Sequence, residues 1–333
     1  MPTVILGIES SCDDTAASIC EDGKILSNIT ASQRVHEQWG GVFPEHASRA
    51  HLINIIPVVH AAVTSAGKKL TEINAVAFTR GPGLIGSLLV GTSFAKGLSL
   101  SLHVPLIDVN HIHAHIMALF IEHNPSFPFL CLSVSGGHTQ LILVHSHHSM
   151  EIVGQTTDDA AGEAFDKIAK MFGLPYPGGH LIDKYASMGN PHAFHFTVPK
   201  APLLNYSFSG LKTSVLYFIR KMEKSDPDFI SRNLNDLCAS VQYTIVESLI
   251  FKLEQAIQST KVQHIALAGG VSANSLLRKR FNDVAQKYGI NSYIPRMEYC
   301  TDNAAMIAIA GYFKYNSGMF CSLDAEAVAR WPI

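Results

Sequence analysis

Val4-Ile5-Leu6-Gly7-Ile8-Glu9-Ser10-Ser11-Cys12-Asp13-Asp14-Thr15-Ala16-Ala17-Ser18-Ile19-Cys20 holds an apolar run, an acidic loop and a second apolar run. It reads as two strands, 4–8 and 15–20, joined across a turn rich in carboxylates. Asp22-Gly23 is a hairpin signal, and a third strand follows at 24–30. The same signals return further on, with strands at 129–134, 139–144 and 150–156 and Ser135-Gly136-Gly137-His138 as the first turn. The chain repeats itself.

Helix and strand signals alternate after each meander. A helix at 45–66, a strand at 75–79, a helix at 84–101 and a strand at 105–109 follow the first. After the second come a helix at 237–259, a strand at 264–268, a helix at 275–288, a strand near Tyr293 and a helix at 303–315. This α/β pattern resembles the duplicated fold of actin, the sugar kinases and the large heat-shock ATPases. That resemblance implies two actin-like lobes, 1–125 and 126–333, with a nucleotide and metal cleft between them and a helical insertion at about 158–236. In such a fold the phosphates meet the first turn of each meander, where backbone N–H groups can face an anion.

The 25 Lys and Arg nearly balance 27 Asp and Glu, so bulk positive charge does not grip nucleic acid, although Arg278, Lys279 and Arg280 can meet phosphates. Six scattered cysteines with no CxxC pair read as reduced thiols of a cytoplasmic protein. The apolar run at 4–8 has no basic leader before it, so no signal peptide is expected. The stretch 84–102 is broken by Gly86, Gly91, Lys96 and Gly97 and is a poor membrane span.

Several segments carry candidate chemistry. His111 and His115 are one helical turn apart, so both imidazoles can address one ion. A third ligand can come from Asp302, which equally suits the N-cap of the last helix. Two imidazoles and a carboxylate suit iron, zinc or manganese about equally. Glu9, Asp13 and Asp14 are more carboxylates than a turn requires and can orient a metal, a water or an amine. Gly136 and Gly137 allow close backbone approach to a ligand, as a plain hairpin turn also would. Gly269-Gly270-Val271-Ser272-Ala273-Asn274 follows a strand and opens a helix, where Asn274 can meet a base or ribose, or simply cap. Asp159, Glu163 and Asp166 share a helical face with Lys167, for which solvation is the commoner explanation. Gly81-Pro82-Gly83-Leu84-Ile85-Gly86 matches a dinucleotide fingerprint, but a meander and a helix precede it, so it reads as tight helix–strand packing.

Taken together, these segments resemble the universal tRNA threonylcarbamoyl transferase family over almost the whole chain. The resemblance rests on the 7–15 segment, Gly40-Gly41-Val42, Gly81-Pro82-Gly83-Leu84, the histidine pair and Ser135-Gly136-Gly137-His138-Thr139. It continues through 159–167, Tyr176-Pro177-Gly178-Gly179, Ser207-Phe208-Ser209-Gly210-Leu211-Lys212, 269–274 and Cys300-Thr301-Asp302-Asn303. It implies that His111, His115 and Asp302 hold one divalent metal, iron in this family. It implies too that Ser133, Val134, Ser135, Gly136, Gly137, Asp166, Gly179, Asp183 and Asn274 line the nucleotide site, which reverses the solvated reading of Asp166.

The implied reaction transfers threonylcarbamoyl from its adenylate to the exocyclic amine of the adenosine just 3′ of the anticodon, in tRNAs reading codons that begin with A. AMP is released, and Asp13 or His138 is the candidate acceptor of the amine proton. A catalytically silent paralogue and a P-loop ATPase are the implied protein partners. Two positions depart from the family pattern: His113 stands where many bacterial relatives carry Glu and offers an alternative ligand, and His180 follows the Pro-Gly-Gly turn. A zinc-protease helix needs Glu after its first His, where this chain has Ile112. A kinase of the same fold would use the same phosphate loops without needing the histidine pair. A silent paralogue is expected to lack the metal triad.

Overall fold

The computed structural model describes residues 2–32, 41–198 and 201–333; Gly40 of the Gly40-Gly41-Val42 motif lies outside them. The described residues form two five-stranded sheets. The first has strands β1 (Val4–Glu9), β2 (Thr15–Glu21), β3 (Lys24–Ala31), β4 (Ala75–Gly81) and β5 (Leu106–Asn110), in the order β3-β2-β1-β4-β5. The second has β6 (Phe129–Val134), β7 (Thr139–Ser146), β8 (Ser149–Gln155), β9 (His264–Ala268) and β10 (Asn291–Tyr293), in the order β10-β9-β6-β7-β8.

The repeat is exact in topology. β1 runs antiparallel to β2 and parallel to β4, with Ile8 opposite Ala17 and Phe78. β6 likewise runs antiparallel to β7 and parallel to β9, with Leu132 opposite Leu141 and Leu267. The central strands β1 and β6 are buried at every residue, as strands covered on both faces must be.

Helices complete each unit. In the first, α1 (Pro44–Ser65) and α2 (Ile85–Leu102) pack on one another and on the sheet, and α3 (His111–Met117) leaves the end of β5. α2 is long and apolar enough to span a membrane by composition alone, but turns Ser87, Leu88, Gly91, Thr92 and Ala95 inward. The glycines of the dinucleotide-like motif are packing positions: a Cβ on Gly83 would stand 2.4 Å from the Ser11 carbonyl oxygen.

In the second unit, α4 (Ala161–Met171), α5 (Gly179–Ala186) and α6 (Ser209–Glu223) form the insertion, followed by α7 (Phe229–Thr260) and α8 (Ser275–Tyr288). The helix expected from 237 starts earlier, because 229–232 is also helical and joins the rest across a non-helical Asn233.

The last helix, α9 (Ala304–Asn316), corrects the expected boundary. The compact units are Met1–Pro125 with Ser146–Ser149 and Pro295–Ile333, and Ser126–His145 with Met150–Ile294. Residues 295–333 therefore pack with the first sheet, not the second. Small residues permit this: a Cβ on Gly7 would meet the Ala308 backbone at 2.5 Å, and one on Gly311 would meet Ala77 Cβ at 2.5 Å.

Candidate metal and nucleotide sites

β5 ends at Asn110, whose Oδ1 accepts from Ile112 N at 3.0 Å and His113 N at 3.1 Å and so starts α3. The helical repeat then stacks His111 and His115, with ring centroids 4.7 Å apart and edge to face. Asp302, just before α9, brings Oδ1 to 3.1 Å from His115 Nε2 and 3.4 Å from His111 Nε2. Two donors each bound about 2.1 Å from one ion stand roughly 3.0–3.4 Å apart. Both carboxylate–imidazole spacings therefore fit a divalent ion, and the chemistry of the three donors suits one.

Electrostatics hold the ligands in a charged arrangement. Burial opposes protonation of His111, but the Asp302 and Glu9 carboxylates outweigh it and raise its pKa well above the ordinary value. Burial also opposes ionisation of Asp302, and the His111 and His115 rings reverse that and hold its carboxyl below the usual range. Such a cluster favours a cation at its centre, whether protons or a metal.

Two expectations change here. Asp302 does not cap α9; Asn303 does, its Oδ1 accepting from Met306 N at 3.1 Å. His113 is not an alternative ligand: two positions along the helix from His111, it points elsewhere and meets the His147 carbonyl oxygen at 2.7 Å through Nε2. Burial pushes His113 down to about 4, partly offset by that carbonyl, so it is neutral. Asp13 lies half-buried on the β1–β2 loop of the first unit, and His138 closes the 135–138 turn of the second.

The second unit gathers the expected nucleotide residues. Ser133 and Val134 are buried in β6 and can offer only backbone, while Ser135 N donates to the His138 carbonyl at 2.8 Å and closes the turn. A Cβ on Gly136 or Gly137 would meet nothing within 4 Å, so this backbone is open. Around the turn the packing is tight: a Cβ on Gly162 would stand 2.5 Å from the Ser135 carbonyl oxygen, and one on Gly269 2.5 Å from that of Val134.

Asp166 Oδ1 accepts from Gly178 N at 2.8 Å and Gly179 N at 3.0 Å, while burial, against those bonds, raises its carboxyl. The expected acidic face thus divides. Asp159 and Glu163 pair with Lys167, and Asp166 alone turns to the glycine turn. Asp183 accepts from Ser275 N and Oγ, next to Asn274, whose Oδ1 caps α8 at Leu277 N. Asp166, Gly179, Asp183 and Asn274 are therefore linked through adjacent turns. His180 is exposed beside Asp166, whose carboxyl it lowers.

Sequence reading missed one anchor and misjudged one cluster. Asp158 accepts from Phe208 N at 2.7 Å and from the Ser207 and Ser209 hydroxyls, tying the 207–212 segment to β8; paired hydroxyls before a helix were the available signal. The basic cluster faces inward in part: Arg280 makes a two-point pair with Glu247, and Arg278 Nε donates to the Ser272 carbonyl.

Among solved structures, HypF from T. kodakarensis is similar with a TM-score of 0.61 at 14% identity, over 96% of this chain and 48% of that one. The Acidaminococcus fermentans (R)-2-hydroxyglutaryl-CoA dehydratase component A is similar with a TM-score of 0.56 at 14% identity, over 95% and 99% of the two chains. These likenesses show the fold alone. In sequence, a protein of Christiangramia forsetii named tRNA N6-adenosine threonylcarbamoyltransferase is 57% identical over 331 residues, 98% of this chain and 97% of that one. A protein of the same name from Thermosipho africanus is 48% identical over 334 residues, 99% of this chain and all of that one. Residues 24–309 match the model of the family described as TsaD: tRNA N6-adenosine threonylcarbamoyltransferase. The chain belongs to the TsaD family and is a transferase that modifies tRNA.

Proposed function

We propose that the chain moves the threonylcarbamoyl group of threonylcarbamoyl-AMP onto the exocyclic amine of the adenosine 3′ of the anticodon, in tRNAs reading codons that begin with A. The observation that carries this reading is the convergence of His111, His115 and Asp302, which a kinase of this fold does not need. The amine nitrogen adds to the carbamoyl carbon, the bond from that carbon to the phosphate oxygen breaks, and AMP leaves. Asp13 or His138 takes the amine proton. His111, His115 and Asp302 would hold iron, or zinc or manganese as substitutes suited to the same donors, and the ion would supply positive charge for the leaving phosphate. Open backbone at Gly136 and Gly137 leaves room for the anion, whose charge their N–H groups would meet in this reading. Ser133, Val134, Ser135, Asp166, Gly179, Asp183 and Asn274 complete the adenylate site in this reading.

The same reading places the protein in the cytoplasm with a silent paralogue and a P-loop ATPase. In support of a protein partner, Leu52, Ile53 and Ile56 on α1 are each more than half exposed and form an apolar ridge.

The test incubates the purified chain and its partners with threonylcarbamoyl-AMP and unmodified tRNA, with detection of the modified nucleoside by mass spectrometry. Product that disappears with His111→Ala and with Asp302→Ala is expected. No product from folded, metal-loaded protein overturns the proposal in favour of the kinase.

A further inference from the structure

We propose that Glu9 is a positioning residue that fixes His111 with Nε2 turned to the metal, acting through Nδ1 from the opposite side of the ring. The inference rests on the metal-site reading above and concerns a residue outside the ligand set. Glu9 ends β1 and is 0% exposed, where an ionised carboxylate is costly unless every oxygen is satisfied. Here both oxygens are. Oε1 accepts from Ser11 N at 2.5 Å, and Oε2 accepts from Thr79 Oγ1 at 2.6 Å and lies 3.2 Å from His111 Nδ1. Ser11 Oγ is also 3.2 Å from that nitrogen.

A neutral imidazole has one N–H and one lone pair, and a carboxylate only accepts. With a metal at Nε2, the ring would be neutral and Glu9 would hold its hydrogen on Nδ1, leaving the lone pair on Nε2, the atom on the Asp302 side at 3.4 Å from Oδ1. The ring stands between Glu9 and the ligand cluster, so Glu9 contributes no oxygen to the group formed by His111, His115 and Asp302.

The second histidine gives the contrast. His115 is buried, and its Nδ1 has no hydrogen-bond partner among the described residues. Asp302 meets its Nε2, and a carboxylate on the Nδ1 side supports only His111 of the two imidazoles. A carboxylate behind a ligating histidine raises the basicity of that ligand, and its loss lowers metal affinity by about 10–100-fold. The loop after β1, β4 and α3 each bring one partner to this carboxylate: Ser11, Thr79 and His111.

The test measures Co2+ binding to the metal-free full chain by competition with a chromophoric chelator, together with the visible spectrum of the bound ion. Glu9→Gln, which keeps volume and an acceptor, is expected to bind Co2+ about 10–100-fold more weakly, with a shifted spectrum. Its far-ultraviolet circular dichroism should match that of the parent. Thr79→Val loosens Glu9 without touching His111 and is expected to lower affinity by a smaller factor; it serves if Glu9→Gln does not fold. Parent affinity and spectrum in a folded Glu9→Gln, or in Thr79→Val if only that variant folds, overturn the positioning role. Asp302→Ala binding Co2+ as tightly as the parent overturns the metal-site reading itself, a separate failure.

Discussion

Asn303 accepts the Met306 N–H that would otherwise be left at the start of α9, and this frees its neighbour Asp302 to meet His115 at 3.1 Å. Adjacent residues thus divide capping from the proposed metal ligation. Asn303→Ala should cost about 1 kcal/mol in urea unfolding, the worth of a cap, and retain metal after dialysis. Asp302→Ala should lower metal affinity by at least about tenfold, which even the loss of an outer partner can do. Elemental analysis of the two dialysed proteins checks the division; equal metal content contradicts it.

His113 gives a prediction of opposite character. Its ring is spent on the His147 carbonyl, so His113→Leu should leave metal content unchanged and cost about 1–3 kcal/mol for the unsatisfied carbonyl. The folded-state pKa, pushed down to about 4 chiefly by burial, lies below the unfolded value. The unfolded chain then binds more protons between about 4 and 6.5, so this residue's contribution to stability falls as pH drops through that window. The parent should lose stability on acidification more steeply than His113→Leu, as read from urea midpoints at pH 7, 6 and 5.

These two residues also show what the sequence makes legible. The meanders were readable because apolar runs alternate with Gly and Asp turns, and the spacing of His111 and His115 is local to one helical turn. The role of Asp302 was ambiguous because Asp and Asn both cap helices, and only the fold separates Asp302 from Asn303. Glu9 and His111 are 102 positions apart, a pairing that the parallel run of β1, β4 and β5 in one sheet creates and no local pattern announces. The docking of α9 on the first sheet was hidden for the same reason, although Gly7 and Gly311, small residues in otherwise bulky runs, mark where backbones meet.

The glycine turn offers a pair of substitutions with different outcomes. A Cβ on Gly136 meets nothing, so Gly136→Ala should leave stability within about 0.5 kcal/mol of the parent and weaken adenylate binding. A Cβ on Gly162 meets the Ser135 carbonyl at 2.5 Å, so Gly162→Ala should displace the same turn from behind and cost about 1–3 kcal/mol. Calorimetry with a non-hydrolysable adenylate, beside thermal unfolding, separates them. Unaltered binding in Gly136→Ala would remove this turn from the nucleotide site.

Asp14 ties the acidic loop to pH. Burial pushes its carboxyl up to about 7; the Ser32 hydrogen bond opposes that, and Asp13, Asp302 and Glu9 add to it. The folded-state pKa is thus raised above the ordinary carboxylate value, so between about 3.8 and 7 the folded chain binds more protons than the unfolded one. Stability from this group therefore falls as pH rises through that window, the reverse of a salt-bridged carboxylate. Asp14→Asn, which cannot ionise, should match the parent near pH 4 and exceed it at pH 8 by an amount on the order of 1–4 kcal/mol. Urea unfolding at the two pH values checks this, and a difference that stays flat between them contradicts it. The same titration changes the charge beside Asp13 near neutrality. If Asp13 takes the amine proton, the rate profile of the parent should carry an inflection near pH 7 that Asp14→Asn loses while keeping its metal.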